Sequence, residues 1–235
     1  RRRAQPPPSL VVHPPRALCI PRQQGGANCY CNDCVAACYY CDDKAKKAGK
    51  RNTSMTCAEY PEAGASIACW LLGDMRITKG KDQLRGFKMS EASPLCRTYT
   101  ACCCTPMIYI GQKFGPRWRA FNLNCITNAK DGTPYKPKEM SNVMGKFALK
   151  EAWDKIPADQ PKHSLIPLHL VPRVLAVIFI PWLFPRSQVT VEEEDKKIPG
   201  LFIDASTVRE IVTAETYVKA GVKVPKVLQS AKKDA

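Results

Sequence analysis

The stretch Cys29-Tyr-Cys31-Asn-Asp-Cys34 places three thiols within six residues. Thiols this close in sequence do not suit most disulfide geometries, but they can converge on one ion as thiolates. The spacing therefore favours a metal site. Two other interpretations stay open: the thiols pack as small free groups, or they belong to a disulfide set that leaves one thiol unpaired, because the chain has 13 cysteines.

Length, composition and charge limit the class of protein. The chain has 235 residues, 45% of them apolar and 24% charged, so it can bury a core. Its net charge of +15 favours anionic partners, such as nucleic acid, anionic lipid or an acidic protein face. Arginines and prolines, rather than an apolar run, begin the sequence. We therefore expect a protein that is not secreted, whose thiols stay reduced and which resides in an organelle, a mitochondrion or a plastid.

Composition divides the chain into three parts. Residues 1–27 are basic and proline-rich and are expected to form an extended arm. Residues 28–128 carry short strand patterns at 65–72, 97–100 and 107–110, separated by turn signals, which predict a mainly β domain. Residues 129–235 are expected to form a helical and apolar extension with a basic tail, including helices over 141–162 and 204–220.

The cysteines outside the Cys29–Cys34 motif are expected to be mostly structural. A helix after Cys34 would place Cys34, Cys38 and Cys41 on one face, and a small-residue packing face is the favoured interpretation for the last two. Four further cysteines belong to no motif and are expected to be buried apolar groups: Cys57, Cys69, Cys96 and Cys125.

Residues 164–185 are the most apolar segment of the chain. They contain four prolines, and their uncharged part, residues 174–185, would span roughly 18 Å as a helix, short of the ~30 Å hydrocarbon core. A membrane span is therefore not expected. A buried helix, a contact with a membrane surface and a subunit interface remain open.

Three separated motifs resemble, in order and spacing, those of the glutathione-dependent formaldehyde-activating enzyme and centromere protein V family. They are Cys29 to Cys34, Asp74-Met-Arg-Ile-Thr-Lys-Gly80 and Tyr99-Thr-Ala-Cys-Cys-Cys-Thr-Pro106. The resemblance spans residues 28–126 and, through Pro167–Arg173 and Leu201–Ala205, reaches residue 205. It is closest to a bacterial-type branch whose thiol motif reads Cys-Tyr-Cys-Asp-Asp-Cys.

This resemblance implies a twisted β fold in which zinc ties strands and loops together. In the family, one zinc is held by an early Cys-x-Cys with a later Cys-x-x-Cys, and a second zinc by Cys-x-Cys-x-x-Cys with an open position for a glutathione adduct. Carried over by position, Cys29, Cys31 and Cys34 take the ligand places of the second zinc. We therefore expect this chain to have a mainly β, zinc-stapled twisted fold like that of the family, with a Pro-rich N-terminal arm and a C-terminal helical extension.

The departures from the family pattern concern the other zinc. Residues 5–15 contain no cysteine, so the early Cys-x-Cys is missing. In the later Cys-x-x-Cys, Thr100 stands in place of the first cysteine and Cys103 stands at the second, with Cys102 as an additional cysteine beside it. The resemblance therefore implies a lost first site, or one whose early half precedes this sequence. Cys102 or Cys103 can instead supply a fourth ligand to the triad, which would make the zinc closed and structural. Cys104 replaces the family's usual glycine.

Other chemistry has weaker support. The three histidines, His13, His163 and His169, do not stand at ligand spacing, and the sequence has no phosphate-binding loop, nucleophile elbow or paired-carboxylate motif. Basic runs at residues 44–51 and 113–121 would suit nucleic acid, but a solvated face and a half-buried strand are the favoured interpretations.

Two hypotheses of function follow. The favoured one is a non-catalytic, zinc-binding accessory or structural subunit of a larger assembly, with zinc as cofactor and other protein subunits as partners. The alternative is a carbon–sulfur lyase that acts on a glutathione adduct at an open zinc. No catalytic residue is assigned, and contact of residues 164–185 with a membrane surface and binding of nucleic acid are secondary expectations.

Overall fold

The computed structural model describes residues 10–12, 25–56, 64–71, 75–77, 81–93, 95–111, 118–128, 131–137, 139–168 and 208–230. Strand outweighs helix in these ranges, so the mainly β prediction is confirmed at this level. The strands are β1 Leu10–Val12, β2 Gly25–Cys29, β3 Ala65–Leu71, β4 Met75–Ile77, β5 Leu84–Lys88, β6 Leu95–Thr100, β7 Pro106–Gly111, β8 Trp118–Asn122, β9 Ile126–Asn128 and β10 Glu139–Val143. The α-helices are α1 Asn32–Lys47, α2 Lys150–Lys155, α3 Ala214–Lys219 and α4 Lys226–Ser230.

Seven strands form the main sheet, in the order β10-β2-β3-β8-β7-β6-β5. The neighbours are antiparallel except for β10, which pairs in parallel with β2 from Glu139 opposite Gly25 to Val143 opposite Cys29. The sheet therefore includes a strand that lies beyond residue 128. Because β2 has a neighbour on each side, the strand that ends at Cys29 is held along both edges.

A smaller sheet of three strands has the order β4-β1-β9. β1 lies between its two neighbours, antiparallel to β4 and parallel to β9. Residues 10–12 of the basic, proline-rich segment are thus extended, but they are paired within a sheet, so the expectation that the arm is not a packed element is wrong for these residues.

Helix α1 forms the core together with one face of the main sheet. Its small side chains Ala36, Ala37 and Cys41 are fully buried and belong to the same cluster as Phe87 and Tyr99 of β5 and β6. Small residues let the helix approach the sheet closely. The helix is followed by Gly49, which adopts a positive φ of 61° where the chain reverses.

The segment from Val208 to Val224 packs on the same core. Residue Ile211 forms a parallel bridge with Lys88, and Val212, Tyr217 and Val222 are buried in the α1 cluster. One carboxylate fixes this segment: Glu210 accepts hydrogen bonds from Lys44 Nζ at 2.6 Å, Tyr99 Oη at 2.8 Å and Tyr40 Oη. Residues near both ends of the described chain therefore share one core.

The strands predicted at 65–72, 97–100 and 107–110 are confirmed as β3, β6 and β7. The helix predicted over 141–162 is wrong for most of its length, because residues 139–143 form β10 and the helix covers only Lys150–Lys155. The final helix predicted over 204–220 begins at Ala214 within the described residues, and residues 208–213 are not helical. Residues 169–185 of the apolar segment lie outside the described residues.

None of the helices in the described ranges combines the length and the apolar character needed to cross a bilayer.

Candidate metal centre

Three thiols come together where β2 ends and α1 begins. The Sγ atoms of Cys29, Cys31 and Cys34 all lie within 4.8 Å of one another, and they form the one such group of metal-binding side chains in the part of the chain that the structure describes. Cys29 and Cys34 are buried, with 9% and 6% of their surface exposed, whereas Cys31 is half-buried. The predicted triad is therefore assembled in space.

The strand side of the triad is held by a buried polar network. Tyr30 lies between two of the thiols, and its hydroxyl donates to Asn142 Oδ1 at 3.1 Å while its ring meets Trp153 edge-on. Asn28 Nδ2 donates to the same Asn142 oxygen at 3.0 Å, and Asn28 Oδ1 accepts from Ser66 Oγ at 2.6 Å. Because this network ties β2 to β3 and β10, it fixes the backbone that carries Cys29.

The helix side of the triad uses the first turn of α1. Cys31 is the N-cap residue, with an extended backbone and no side-chain cap hydrogen bond. Its carbonyl accepts from the backbone N–H of Cys34 at 2.9 Å and of Val35 at 3.1 Å. The i, i+3 spacing of Cys31 and Cys34 across this turn brings their sulfurs to one side.

The thiols perturb one another's pKa values. Hydrogen bonds from Cys29 and Cys34 lower the pKa of Cys31, and the positive charge of Arg97 acts in the same direction. The pKa values of Cys29 and Cys34 are raised, since each donates to a neighbouring sulfur and is buried. Without an ion, the triad thus favours one thiolate held by two thiols.

Arg97 and Tyr217 are residues near the triad that sequence reasoning missed. Arg97 of β6 is 1% exposed, and its charge adds to the hydrogen bonds that lower the pKa of Cys31. Burial and the carboxylate of Asp33 raise the pKa of Tyr217, and the charge of Arg97 only opposes this shift. Tyr217 of α3 is fully buried and donates a 2.9 Å hydrogen bond to Asp33 Oδ1, inside the thiol motif. An arginine within a strand pattern could have indicated a functional role for Arg97. No feature of the neighbouring sequence indicates that Tyr217 lies near the thiols.

The donor set fits a thiophilic ion such as zinc. In a tetrahedral site with Zn–S bonds of about 2.3 Å, neighbouring sulfurs stand about 3.8 Å apart, which the 4.8 Å limit on the triad accommodates. Thiolate is the ligand that structural zinc sites use most. The buried positive charge of Arg97 would offset part of the negative charge of several thiolates.

Cys102 and Cys103, predicted as further metal ligands, lie outside that group. They occupy the turn of residues 101–103 between β6 and β7, where the Sγ atoms are 3.6 Å apart. Cys104 follows with a φ of 59°, a left-handed conformation that glycine adopts most readily and that explains why glycine suits this position. The structure gives the triad no fourth ligand from the described residues.

The other described cysteines are buried. Cys38, Cys41, Cys96 and Cys125 have at most 6% of their surface exposed, as predicted for structural thiols. Burial raises the pKa of Cys96 to about 11 and that of Cys125 to about 12, so both favour the neutral thiol. The backbone of Cys57 and the side chain of Cys69 lie outside what the structure describes.

Lysines of the basic run 44–51 have partners within the chain. Lys47 pairs with Asp43 at 2.6 Å, and Lys50 Nζ donates to the Ala101 carbonyl at 2.8 Å. Phe121, at the end of the basic run 113–121, lies in strand β8 with its ring fully buried, in agreement with the favoured strand interpretation, and the ring is therefore unavailable to a base.

Comparison of the chain with protein-family models, with curated proteins and with solved structures found no match.

Proposed function

We propose that Cys29, Cys31 and Cys34 bind one zinc ion, and that this centre staples the β2–α1 junction of a non-catalytic accessory or structural subunit. The observation that carries the proposal is the convergence of the three sulfurs within 4.8 Å. Its position supports a structural role, because the ion would join the end of a central strand to the first turn of the helix that covers the sheet.

The resemblance to the formaldehyde-activating enzyme and centromere protein V family supports the same ion. In that family a Cys-x-Cys-x-x-Cys motif binds zinc, and the three thiols of this motif are the ones that meet here. We propose membership of that family on the motifs. The zinc-stapled form of the β fold, and the loss of catalysis, belong to the same proposal.

The stoichiometry of bound zinc tests the site. Purified full-length protein is expected to retain about one zinc per chain, and serine at any triad position should reduce retention at least tenfold, since one of three thiolate ligands is lost. Cys96→Ser is the matched control, because Cys96 is a buried cysteine outside the group. Equal zinc content in the triad variants and the control would contradict the proposal.

Membership of a larger assembly is proposed from the described beginning of the apolar segment. Leu165 and Ile166 are each 48% exposed and Leu168 is 86% exposed, so three large apolar side chains face solvent close together. A protein subunit would bury them. The whole protein, in a native extract of an organelle, is expected to migrate as a complex, and Leu165→Gln with Leu168→Gln should shift it towards the free chain.

If the wild-type chain also migrates as a free chain in that extract, the proposed assembly is contradicted. Val218→Gln together with Val227→Gln is the matched control, because these valines are also exposed but lie in the C-terminal helices. An equal shift in that control would remove the assignment to Leu165 and Leu168.

A second candidate function is favoured by the ligand count. The group contains three thiols, and Cys31 is half-buried, so an ion held there would keep a coordination position for a fourth ligand. That is the arrangement of a catalytic zinc, and the lyase acting on a glutathione adduct remains the alternative. Replacement of zinc by cobalt separates the two functions. An absorption spectrum typical of cobalt bound by four thiolates supports the structural role. A spectrum of three thiolates with an exchangeable ligand, together with turnover of S-hydroxymethylglutathione, supports the enzyme.

A further inference from the structure

A second pair of thiols lies apart from the candidate metal centre, in the turn between β6 and β7. The Sγ atoms of Cys102 and Cys103 are 3.6 Å apart, and both residues are half-buried, so a small reagent can reach them. Most of the other described cysteines are more deeply buried. The turn therefore presents a neighbouring dithiol near the surface.

Two threonine hydroxyl groups surround the sulfur of Cys103. Thr100 Oγ1 is 3.1 Å from this Sγ, and Thr105 Oγ1 is 3.0 Å from it. Both threonines are fully buried. The sulfur thus stands between two hydroxyl groups that water does not solvate.

The backbone leaves the protons of both hydroxyl groups available to a Cys103 thiolate. Thr105 Oγ1 accepts from the N–H of Thr53 at 2.9 Å, and Thr100 Oγ1 accepts from the N–H of Thr105 at 3.2 Å. Since each hydroxyl oxygen already accepts a hydrogen bond, its own proton is available to donate, and the sulfur of Cys103 is the neighbouring acceptor. Cys102 also donates to that sulfur. Three donors around one sulfur stabilise its thiolate.

The pKa directions agree with this geometry. Burial acts to raise the pKa of Cys103, but the hydrogen bonds from Thr100 and Thr105 outweigh it, so the pKa lies below that of an ordinary thiol. The pKa of Cys102 is raised by burial and by its bond to Cys103. Among the described residues, the titratable groups near the turn include Cys104, Cys125, Lys50, Lys44 and Glu210.

We propose that Cys102 and Cys103 form a redox-active dithiol that reacts with low-molecular-weight disulfides, with Cys103 as the nucleophile and Cys102 as the resolving thiol. The Cys103 thiolate attacks one sulfur of the disulfide, a protein–reagent disulfide bond forms, and the other half leaves as a thiolate. Cys102 then loses its proton to solvent and attacks Cys103 Sγ, which releases the second half of the reagent. A disulfide bond forms between the adjacent residues Cys102 and Cys103, and its unusual geometry makes it readily reducible. The dithiol thus loses two electrons, and the reagent disulfide is reduced to two thiols.

The rate and place of reaction test the nucleophile. The full chain is treated with oxidised glutathione at about pH 6, where an ordinary thiol with a pKa of about 8.5 is less than ~1% ionised. The samples are cleared of reagent at timed intervals, alkylated and read by tandem mass spectrometry. Cys103 should react at least tenfold faster than Cys102, which is similarly half-buried, and than the buried Cys38, Cys96 or Cys125. Reaction of Cys103 no faster than these thiols would overturn the proposal, and this arm needs no variant.

Variants test the threonines. Thr100→Val and Thr105→Val should each slow the reaction of Cys103 at about pH 6 by roughly tenfold, since each removes a hydrogen bond to the thiolate. Thr105→Ser keeps the hydroxyl and should restore the rate. Thr98→Val is the matched control, a fully buried threonine in the same strand. An equal loss in Thr98→Val would show that the hydroxyl groups at Cys103 do not activate it.

The resolving step has its own readout. In Cys102→Ser the mixed disulfide between Cys103 and glutathione should accumulate. In the wild-type chain this adduct should convert to the Cys102–Cys103 disulfide, which carries no glutathione and has two hydrogens fewer than the reduced chain. Equal accumulation of the adduct in both proteins would overturn the role of Cys102. Zinc retention is measured in the same samples, so failure of the metal proposal and failure of the dithiol proposal are seen separately.

Discussion

The hydroxyl of Tyr217 donates a 2.9 Å hydrogen bond to Asp33 Oδ1 across 184 residues of sequence. Asp33 lies between Cys31 and Cys34 in the first turn of α1, and Tyr217 lies fully buried in α3. The C-terminal segment is therefore bonded to the thiol motif itself. A carboxylate in the first turn of a helix also suits the positive end of the helix dipole, which helps to hold the turn that carries two of the three thiols.

Tyr217→Phe should lower the free energy of unfolding by about 1 to 2 kcal/mol, because Asp33 loses a hydrogen bond from a buried donor. Denaturant unfolding measures it. Tyr39→Phe is the matched control, since the structure records no hydrogen bond of the Tyr39 hydroxyl with the described residues, and it should change stability by less than about 0.5 kcal/mol. Equal stability of Tyr217→Phe and the control would show that the hydrogen bond contributes nothing.

Gly64→Ala should disrupt the metal centre. Gly64 is buried with a φ of 25°, and an added Cβ would overlap the backbone carbonyl of Cys29. Since backbone cannot move aside as a flexible side chain can, Cys29 must shift, and zinc retention should fall at least tenfold.

Gly49→Ala is the matched control for that substitution. Its φ is also positive, at 61°, but nothing lies within 4 Å of the added Cβ. It should cost about 1 kcal/mol of stability and leave zinc retention unchanged. Unchanged zinc retention in Gly64→Ala would show that contact of Gly64 with Cys29 does not hold the triad.

Zinc binding should release about two protons near neutral pH. Zinc binds thiolates, the raised pKa values of Cys29 and Cys34 keep these thiols protonated, and the lowered pKa of Cys31 leaves it already ionised. Affinity should therefore rise as pH rises, by about a hundredfold per unit. Calorimetry in buffers of different ionisation enthalpy counts the protons. A release of three protons, or of none, would contradict this distribution of charge.

Local patterns predicted the parts of the site that depend on neighbouring residues. The spacing of Cys29, Cys31 and Cys34 sufficed for the triad, because a strand end followed by a helical turn brings such positions together. The face of α1 that carries Cys38 and Cys41 followed from helical periodicity, and both are buried. The short strand patterns of β3 and β6, set between turn signals, were equally local.

Long-range pairing decided what the sequence did not predict. Val143 belongs to the helical pattern read over 141–162, yet it pairs with Cys29 in parallel β10 and β2, where sheet formation overrides helix propensity. The contact of Tyr217 with Asp33 has no local signal at all. A parallel pair and a distant hydrogen bond both require the tertiary fold before they exist.

Stability at alkaline pH should fall because of Tyr40. Burial, and then the hydrogen bond to Glu210, raise the pKa of Tyr40 above its unfolded value of about 10. The folded state therefore favours the neutral phenol of Tyr40. The stability that this preference contributes is fully present below about pH 10 and is lost as the pH rises through the pKa of Tyr40 in the folded state.

Denaturant unfolding of wild type and Tyr40→Phe between about pH 7 and pH 11 measures that loss. Above about pH 10 the stability of the wild type should fall more steeply than that of the variant. From about pH 7 up to that point, the difference in stability between the two proteins should stay constant and should reflect the lost hydrogen bond. Parallel curves across the whole range would contradict the assignment to Tyr40.

Zinc-edge X-ray absorption of the purified full-length protein tests the central claim most directly, because it counts the atoms bonded to the ion. We expect three or four sulfurs at about 2.3 Å, with at least one fewer in Cys31→Ser if any zinc is retained. A zinc bonded to nitrogen and oxygen alone, or a sulfur count that Cys31→Ser leaves unchanged, would contradict binding by Cys29, Cys31 and Cys34.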